Sequence, residues 1–216
     1  MPIRAVMFDL DGTLADTLED LARAGNHAMS AVGRPTFPVE RYRTLAGQGL
    51  ERLIRDALGP EHQPLFDPAI TSFRGHYAAH RFDHTRPYDG VVELLDDLRS
   101  RGLPLAVMSN KPDDATVDTV ARLFAAETFA AVRGHRAGYP VKPDPKAALE
   151  ICDELGVPPE SWAYVGDSDV DVHTGRAAGF FTVGVSWGFR SVDELRDAGA
   201  AAVIDRPAEL LPLLRG

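Results

Sequence analysis

Short apolar runs that stop abruptly at polar residues recur along this chain, and between them apolar positions return at helical spacing. The run Ile3-Arg4-Ala5-Val6-Met7-Phe8 predicts a strand, cut off by the polar turn Asp9 to Thr13. From Asp16 to Val32 the spacing is helical, and Gly33 with Pro35 stops it. From about Pro38 to Arg81 helices continue, broken by Gly47, Gly49, Gly59-Pro60 and Pro64. No strand-like alternation occurs there, which predicts an all-helical insert.

After Pro87 the texture becomes an alternation of helix and strand. Asp89 is the expected N-cap of a helix over Val91 to Arg101, with Gly102 as its stop. Leu105 to Met108 predicts a strand ending at Ser109, followed by a helix over Ala115 to Phe124 and a short apolar segment at Phe129 to Val132. Asp144 and Pro145 are the expected N-cap and first residue of a helix reaching Leu155. Ala163 to Val165 and Phe181 to Val185 predict strands flanking a helix that ends at Ala178. Ser191 and Glu194 predict a capping box, and Ala202 to Ile204 with Leu210 to Leu214 close the chain. Such alternation argues for an α/β fold with a doubly wound, mostly parallel sheet. The helical segment would be a cap inserted after the first strand, its linkers near Leu14 to Thr17 and Phe82 to Tyr88.

Bulk properties narrow the setting. At 216 residues the chain can hold one well-buried core plus a small accessory domain. A formal net charge of −9 gives no general attraction for nucleic acid or anionic lipid. An anionic substrate would therefore need local compensation from a cation, lysines or backbone donors. Cys152 is the only cysteine, which excludes an internal disulfide and suits a reducing compartment. No apolar stretch approaches membrane-span length and no secretory block opens the chain, so the expected location is the cytoplasm and no membrane partner is expected.

Four polar signals are placed in order along this framework: Asp9-Leu10-Asp11-Gly12-Thr13, Ser109-Asn110, Lys142 before Pro143, and Gly166-Asp167-Ser168-Asp169-Val170-Asp171. Three follow predicted strands, and in an open parallel sheet the carboxyl ends of strands form the ligand crevice. A carboxylate such as Asp9 can attack phosphorus and form an aspartyl-phosphate. Asp11, two residues on, can protonate the leaving oxygen and then deprotonate a water. Gly12 permits the sharp turn and is expected beside the phosphate with Thr13, which offers a hydroxyl and an N–H to phosphate oxygens. Ser109 and Asn110 supply short donors for the same oxygens, and Lys142 can neutralise developing charge. Mg²⁺ favours carboxylates, water and phosphate, so Asp9, Asp167 and the main-chain carbonyl of Asp11 would suffice to hold it. Asp169 suits a helix cap, whereas Asp167 and Asp171 suit the site.

These four signals resemble the motifs of the haloacid dehalogenase superfamily over almost the whole chain. The resemblance implies a Rossmann-like catalytic core over residues 1–15 and 86–216 and a helical cap over 16–85. It implies a Mg²⁺-dependent phosphatase with Asp9 as nucleophile, Asp11 as acid/base, Ser109 and Lys142 on phosphate, Asp167 on the metal and Asp171 in support. Asp11 argues for phosphate chemistry, because the dehalogenase branch does not usually keep a second aspartate there. The segments Ala46-Gly47-Gln48-Gly49 and Val185-Ser186-Trp187-Gly188 are similar to the phosphoglycolate phosphatase group. The expected partner is a small phosphate ester, best matched by 2-phosphoglycolate, and the expected assembly is a monomer or homodimer. Pyrophosphate, a sugar phosphate, or a phosphomutase of the β-phosphoglucomutase type are the alternatives.

Several residues are expected to serve structure. His76 and His80 share a helix face but have no third ligand nearby in the sequence. Trp162 and Trp187 are expected in the core or crevice wall, and Cys152 as a packed residue. Arg41, Arg43, Arg52 and Arg55 in the cap could meet a second anionic group or lie on solvated faces.

Overall fold

The computed structural model describes residues 2–214, so residues 1, 215 and 216 of the expected core segments lie outside it. Its strands are β1 (Ala5–Phe8), β2 (Ala15–Asp16), β3 (Arg86–Pro87), β4 (Leu105–Pro112), β5 (Ala131–His135), β6 (Trp162–Gly166), β7 (Phe181–Val185) and β8 (Ala202–Ile204). Six of them form one parallel sheet in the order β5-β4-β1-β6-β7-β8. From β1 the chain winds outward through β4 to β5, then returns to β6 on the other side of β1. The carboxyl ends of β1, β4 and β6 therefore meet where the winding reverses, the place where such sheets bind ligands.

Both faces of this sheet are covered, which explains why its strands read as continuous apolar runs. Val6, Leu105, Val107, Ala163 and Val165 join one core cluster with Phe8. Their alternating neighbours Ala5, Met7, Ala106, Met108, Trp162 and Tyr164 join a second. Ten α-helices are described: α1 (Leu18–Ala31), α2 (Tyr42–Leu45), α3 (Leu50–Leu58), α4 (Phe66–His80), α5 (Val91–Ser100), α6 (Asp113–Leu123), α7 (Lys146–Leu155), α8 (Asp169–Ala178), α9 (Val192–Asp197) and α10 (Leu210–Leu213). α5 and α10 pack on the first face through Leu95, Leu98 and Leu210. α7 packs on the second through Ile151 and Cys152, and burial pushes the Cys152 thiol up to about 12, as suits a packed residue.

Helices α1 to α4 build a further apolar cluster around Met29, Tyr42, Ile54 and Phe73, joined from elsewhere by Phe189. The chain enters this segment through β2 and leaves it through β3, and the two pair as an antiparallel ribbon. Asp20 at the start of α1 clamps the returning strand: its Oδ2 accepts from the N–H of His84 at 3.0 Å and from the N–H and hydroxyl of Thr85, both at 2.8 Å.

Three local expectations are corrected. Gly90, in the left-handed region with φ +81°, precedes α5, and no side chain caps that helix, so Asp89 belongs to a turn. Ser168 rather than Asp169 caps α8, because Ser168 and Asp171 satisfy each other's backbone N–H groups in a capping box. Pro145 precedes α7, and Asp144 instead accepts from the Lys146 N–H at 2.9 Å. The Ser191–Glu194 box forms as expected. Among the described residues no helix is long and apolar enough to cross a membrane.

Candidate active site

Asp9 follows β1 directly and is buried, as are Ser109, Asn110, Lys111, Lys142, Asp167 and Asp171. Burying this many polar groups is costly unless they satisfy one another. Lys142 Nζ lies 2.6 Å from Asp171 Oδ1 and 2.9 Å from Asp9 Oδ1. The other oxygen of Asp171 accepts from Ser168, at 3.1 Å from the N–H and 2.6 Å from the hydroxyl. Asp171 thus anchors Lys142 while it closes the α8 capping box.

Asp167 accepts from the Phe189 N–H at 2.7 Å and from the Thr13 hydroxyl at 3.3 Å. The close approach of three loops here depends on two glycines. A Cβ on Gly12, whose φ is +84°, would stand 2.4 Å from Asp167 Oδ2, and one on Gly188 would stand 2.2 Å from Asp167 Cβ. Both residues must therefore lack a side chain for Asp167 to face Asp9.

One oxygen each from Asp9, Asp167 and Asp171 lies within 4.8 Å of the others, a buried acidic triad that could hold a metal. Asp9 Oδ1, although at ion-pair distance from Lys142, completes no hydrogen bond. Burial, aided by the Asp171 carboxylate and opposed by Lys142, raises the Asp9 pKa to about 6. Asp167 is pushed well above the usual carboxylate range by burial and by Asp171 and Asp9. With Asp11 included, four carboxylates face the two ammonium groups of Lys111 and Lys142. An all-oxygen donor set and more carboxylates than ammonium groups, which burial alone disfavours in their charged forms, fit a hard divalent cation.

Asp11 itself points elsewhere. Its side chain is not part of the triad; its two oxygens lie 2.8 and 3.1 Å from Lys111 Nζ. Lys111 also donates to the hydroxyl of Tyr77, on α4, at 2.6 Å. Burial alone would lower the Lys111 pKa, but Asp11 and Tyr77 outweigh it and raise it, so the ammonium persists. Neither Lys111 nor Tyr77 was legible as a site residue. The only signal for Lys111 was its place directly after Ser109-Asn110.

Three residues expected beside the phosphate, Gly12, Thr13 and Asn110, have their polar groups engaged within the protein. The Asn110 amide donates to the carbonyls of Gly47 at 3.0 Å and Lys142 at 3.2 Å, and accepts from the Lys142 N–H at 2.8 Å. Its side chain therefore ties the helical segment to the Lys142 loop and is not free for a phosphate. Thr13 gives its hydroxyl to Asp167 and its N–H to the Leu10 carbonyl at 3.3 Å, while the Gly12 N–H goes to the Ala15 carbonyl at 2.9 Å. The Asp9 to Thr13 turn is thus held rigid by the donors expected to face substrate. Ser109 keeps its hydroxyl hydrogen, since its Oγ only accepts, from the Lys111 N–H at 3.4 Å.

A cavity of about 280 Å³ opens on Asp9, Asp11, Ser109 and Lys111 and runs beneath the helical segment. Arg41, Arg43, Arg52 and Arg55 do not line it: Arg43 donates to the Gly188 carbonyl, Arg41 to Thr44, Arg52 pairs with Asp56, and Arg55 bonds Gln63. Its cations are instead Lys111, Arg74 and Arg81. His76 and His80 gain His27 as a neighbour, with ring centroids 4.4 and 4.5 Å apart in succession, yet among the described residues only the acidic triad brings three ligand atoms together. Trp162 is core, and Trp187 borders the site by donating to the Thr13 carbonyl at 3.1 Å.

Known proteins resemble this chain over nearly its whole length. The sequence profile described as haloacid dehalogenase-like hydrolase matches residues 6–185. A protein of Thiobacillus denitrificans named phosphoglycolate phosphatase is 35% identical, over 97% of this chain and 94% of the relative. A Pseudomonas aeruginosa protein named N-acetylmuramic acid 6-phosphate phosphatase is 32% identical, over 99% and 96% respectively. The crystal structure of a presumed phosphoglycolate phosphatase from Lactobacillus delbrueckii subsp. bulgaricus superposes with a TM-score of 0.94 at 33% identity, covering all of both chains.

Proposed function

The chain belongs to the haloacid dehalogenase-like hydrolase family, and from that premise we propose that it is a Mg²⁺-dependent phosphatase working through an aspartyl-phosphate on Asp9. The observation that carries this reading is the pairing of two aspartates with different surroundings. Asp9 lies in the acidic cluster against Lys142, whereas Asp11, which also lines the cavity, is held by Lys111.

In the first step an Asp9 oxygen attacks phosphorus as the bond to the leaving oxygen breaks, and Asp11 delivers the proton that the departing alcohol needs. In the second, Asp11 takes a proton from a water whose oxygen attacks phosphorus, and the bond to Asp9 breaks to release inorganic phosphate. Ser109 donates to a phosphate oxygen, and Lys142 offsets charge on Asp9 and the transferring group. Asp9, Asp167 and the Asp11 carbonyl would hold Mg²⁺, with Asp171 behind them. The ion would supply the positive charge needed to admit an anionic ester to an acidic cluster. The helical segment 16–85 serves as the cap that excludes bulk water, and a soluble cytoplasmic setting suits a metabolite substrate.

The relatives named phosphoglycolate phosphatase make 2-phosphoglycolate the first substrate to try. A panel of that ester, pyrophosphate and sugar phosphates, compared by kcat/KM with Mg²⁺ and with chelator, tests the reading. Metal-dependent release of inorganic phosphate is expected. Return of the phosphoryl group to a sugar would identify a mutase, and turnover indifferent to chelator would contradict the metal assignment.

A further inference from the structure

The walls of the cavity differ in character from its floor. The floor carries Asp9, Asp11, Ser109 and Lys111, but the walls include Leu21, Leu50, Leu53 and Phe73. Leu21, Leu53 and Phe73 are buried, so these side chains form a fixed apolar surface. One face of α4 runs along the opening: Arg74, Tyr77, Ala78 and Arg81 stand at successive helical intervals and all line the cavity. Tyr77 is committed to Lys111, and Arg81 is paired with Asp118. Lys111 is committed to Asp11. Among the described residues Arg74 alone of the cavity's cations has neither an ion pair nor a hydrogen bond, and it is exposed at the rim.

A two-carbon acid phosphate has almost no apolar surface to bury against such walls. Its carboxylate would also lie near a floor whose one lysine is already neutralised by Asp11. The volume, about 280 Å³, approaches the lower limit of sites that bury drug-sized ligands, roughly 300 Å³. We propose that the cavity selects phosphomonoesters whose leaving alcohol has an apolar middle section and a distal anionic group, the latter received by Arg74. This rests on the phosphatase reading and narrows its substrate class. Arg74 is then a specificity-determining residue that acts through binding of the leaving group, remote from the reacting phosphorus.

The test compares kcat/KM for three esters: 6-phosphooxyhexanoate, which has both features, n-hexyl phosphate, which lacks the carboxylate, and 2-phosphoglycolate, which lacks the apolar section. The six-carbon acid is expected to exceed 2-phosphoglycolate by about tenfold or more, the return from burying a few methylenes. Arg74→Gln should reduce the ratio of six-carbon acid to hexyl phosphate by about three- to fivefold, expressed mainly in KM, as befits an exposed pairing. Because Arg74 is exposed, the substitution leaves the core untouched. A value for 2-phosphoglycolate equal to or above that of the six-carbon acid overturns the proposal while leaving the phosphatase reading intact. So does a ratio unmoved by Arg74→Gln. Turnover of none of the three, with metal-dependent hydrolysis of pyrophosphate or a sugar phosphate, also overturns the proposal alone, whereas turnover of no ester in either panel overturns the phosphatase reading itself.

Discussion

Lys111 Nζ lies 2.8 Å from Asp11 Oδ1, joining the end of β4 to the turn after β1. The Lys111 side chain is 3% exposed and its ammonium also holds the Tyr77 hydroxyl of α4, so one buried group connects the proposed acid/base to the helical segment. Lys111→Met should leave Asp11 unheld and lower kcat by about ten- to a hundredfold, since small misplacements of a reacting group cost that much. Tyr77→Phe removes only one hydrogen bond and should cost about 1 kcal/mol of stability with a smaller effect on turnover. Steady-state kinetics and denaturant unfolding of the two variants, side by side, separate these outcomes; equal kinetic defects would contradict the assignment of Lys111 to Asp11.

Gly12 and Gly188 approach Asp167 from two loops. Gly12→Ala combines a positive φ with a clash against a buried carboxylate and should destabilise by about 2–4 kcal/mol. Gly188→Ala meets Asp167 Cβ and the Gly12 carbonyl, at 2.2 and 2.5 Å, and should weaken Mg²⁺ binding by displacing Asp167. Calorimetric titration of Mg²⁺ into each variant checks this, and wild-type affinity in both would show that the site tolerates a wider spacing.

The acidic cluster makes a prediction about pH in the metal-free protein. The Asp9 pKa is raised by burial from an ordinary 3.8 to about 6, so between these values the folded state holds a proton that the unfolded state has lost. The contribution of Asp9 to stability therefore falls as pH rises from about 4 through 6, whereas Glu194 and Glu209, whose pKa values are lowered by their hydrogen bonds, contribute in the opposite sense. Mg²⁺ should restore the Asp9 contribution, and more at pH 8 than at pH 5. Thermal melts of the wild type and Asp9→Asn across pH, with and without Mg²⁺, read this directly; a metal-free wild type that loses no stability relative to Asp9→Asn over that window would contradict the electrostatic account.

Asp20 accepts three hydrogen bonds from His84 and Thr85 where the chain returns from the helical segment. Asp20→Ala leaves these buried donors unpaired and should cost about 3 kcal/mol. Asp20→Asn should retain most of that stability, because the other oxygen, Oδ1, makes no hydrogen bond to lose. Urea unfolding of the pair tests it, with equal losses as the contrary result.

How much of this was legible follows from the physics of each position. The strands read clearly because β1, β4 and β6 alternate apolar side chains onto two buried faces. Asp9, Ser109 and Asp167 read clearly because they interrupt those runs at the crevice edge. The engagement of the Asn110 amide with Gly47 and Lys142 was not legible, because an amide beside a phosphate site and an amide tying two loops have the same local sequence. Lys111 lies on an extension of β4 past a register shift, where local pattern gives no side-chain direction. Tyr77 and Arg74 reach the site only through the docking of α4, and a lining set assembled from distant helices leaves no local trace. For the same reason the sequence left open whether Arg43 and Arg52 meet an anion or lie on solvated faces; neither lines the cavity.

The central claim is that Asp9 carries the phosphoryl group. Acid quenching during turnover of a ³²P-labelled monoester, followed by proteolysis and peptide mapping, measures it most directly. The account predicts label on the peptide containing Asp9, released by hydroxylamine, and absent in Asp9→Asn together with a loss of turnover of about 10⁴-fold or more. Turnover near the wild-type rate in Asp9→Asn, or label mapping to another residue, would contradict it.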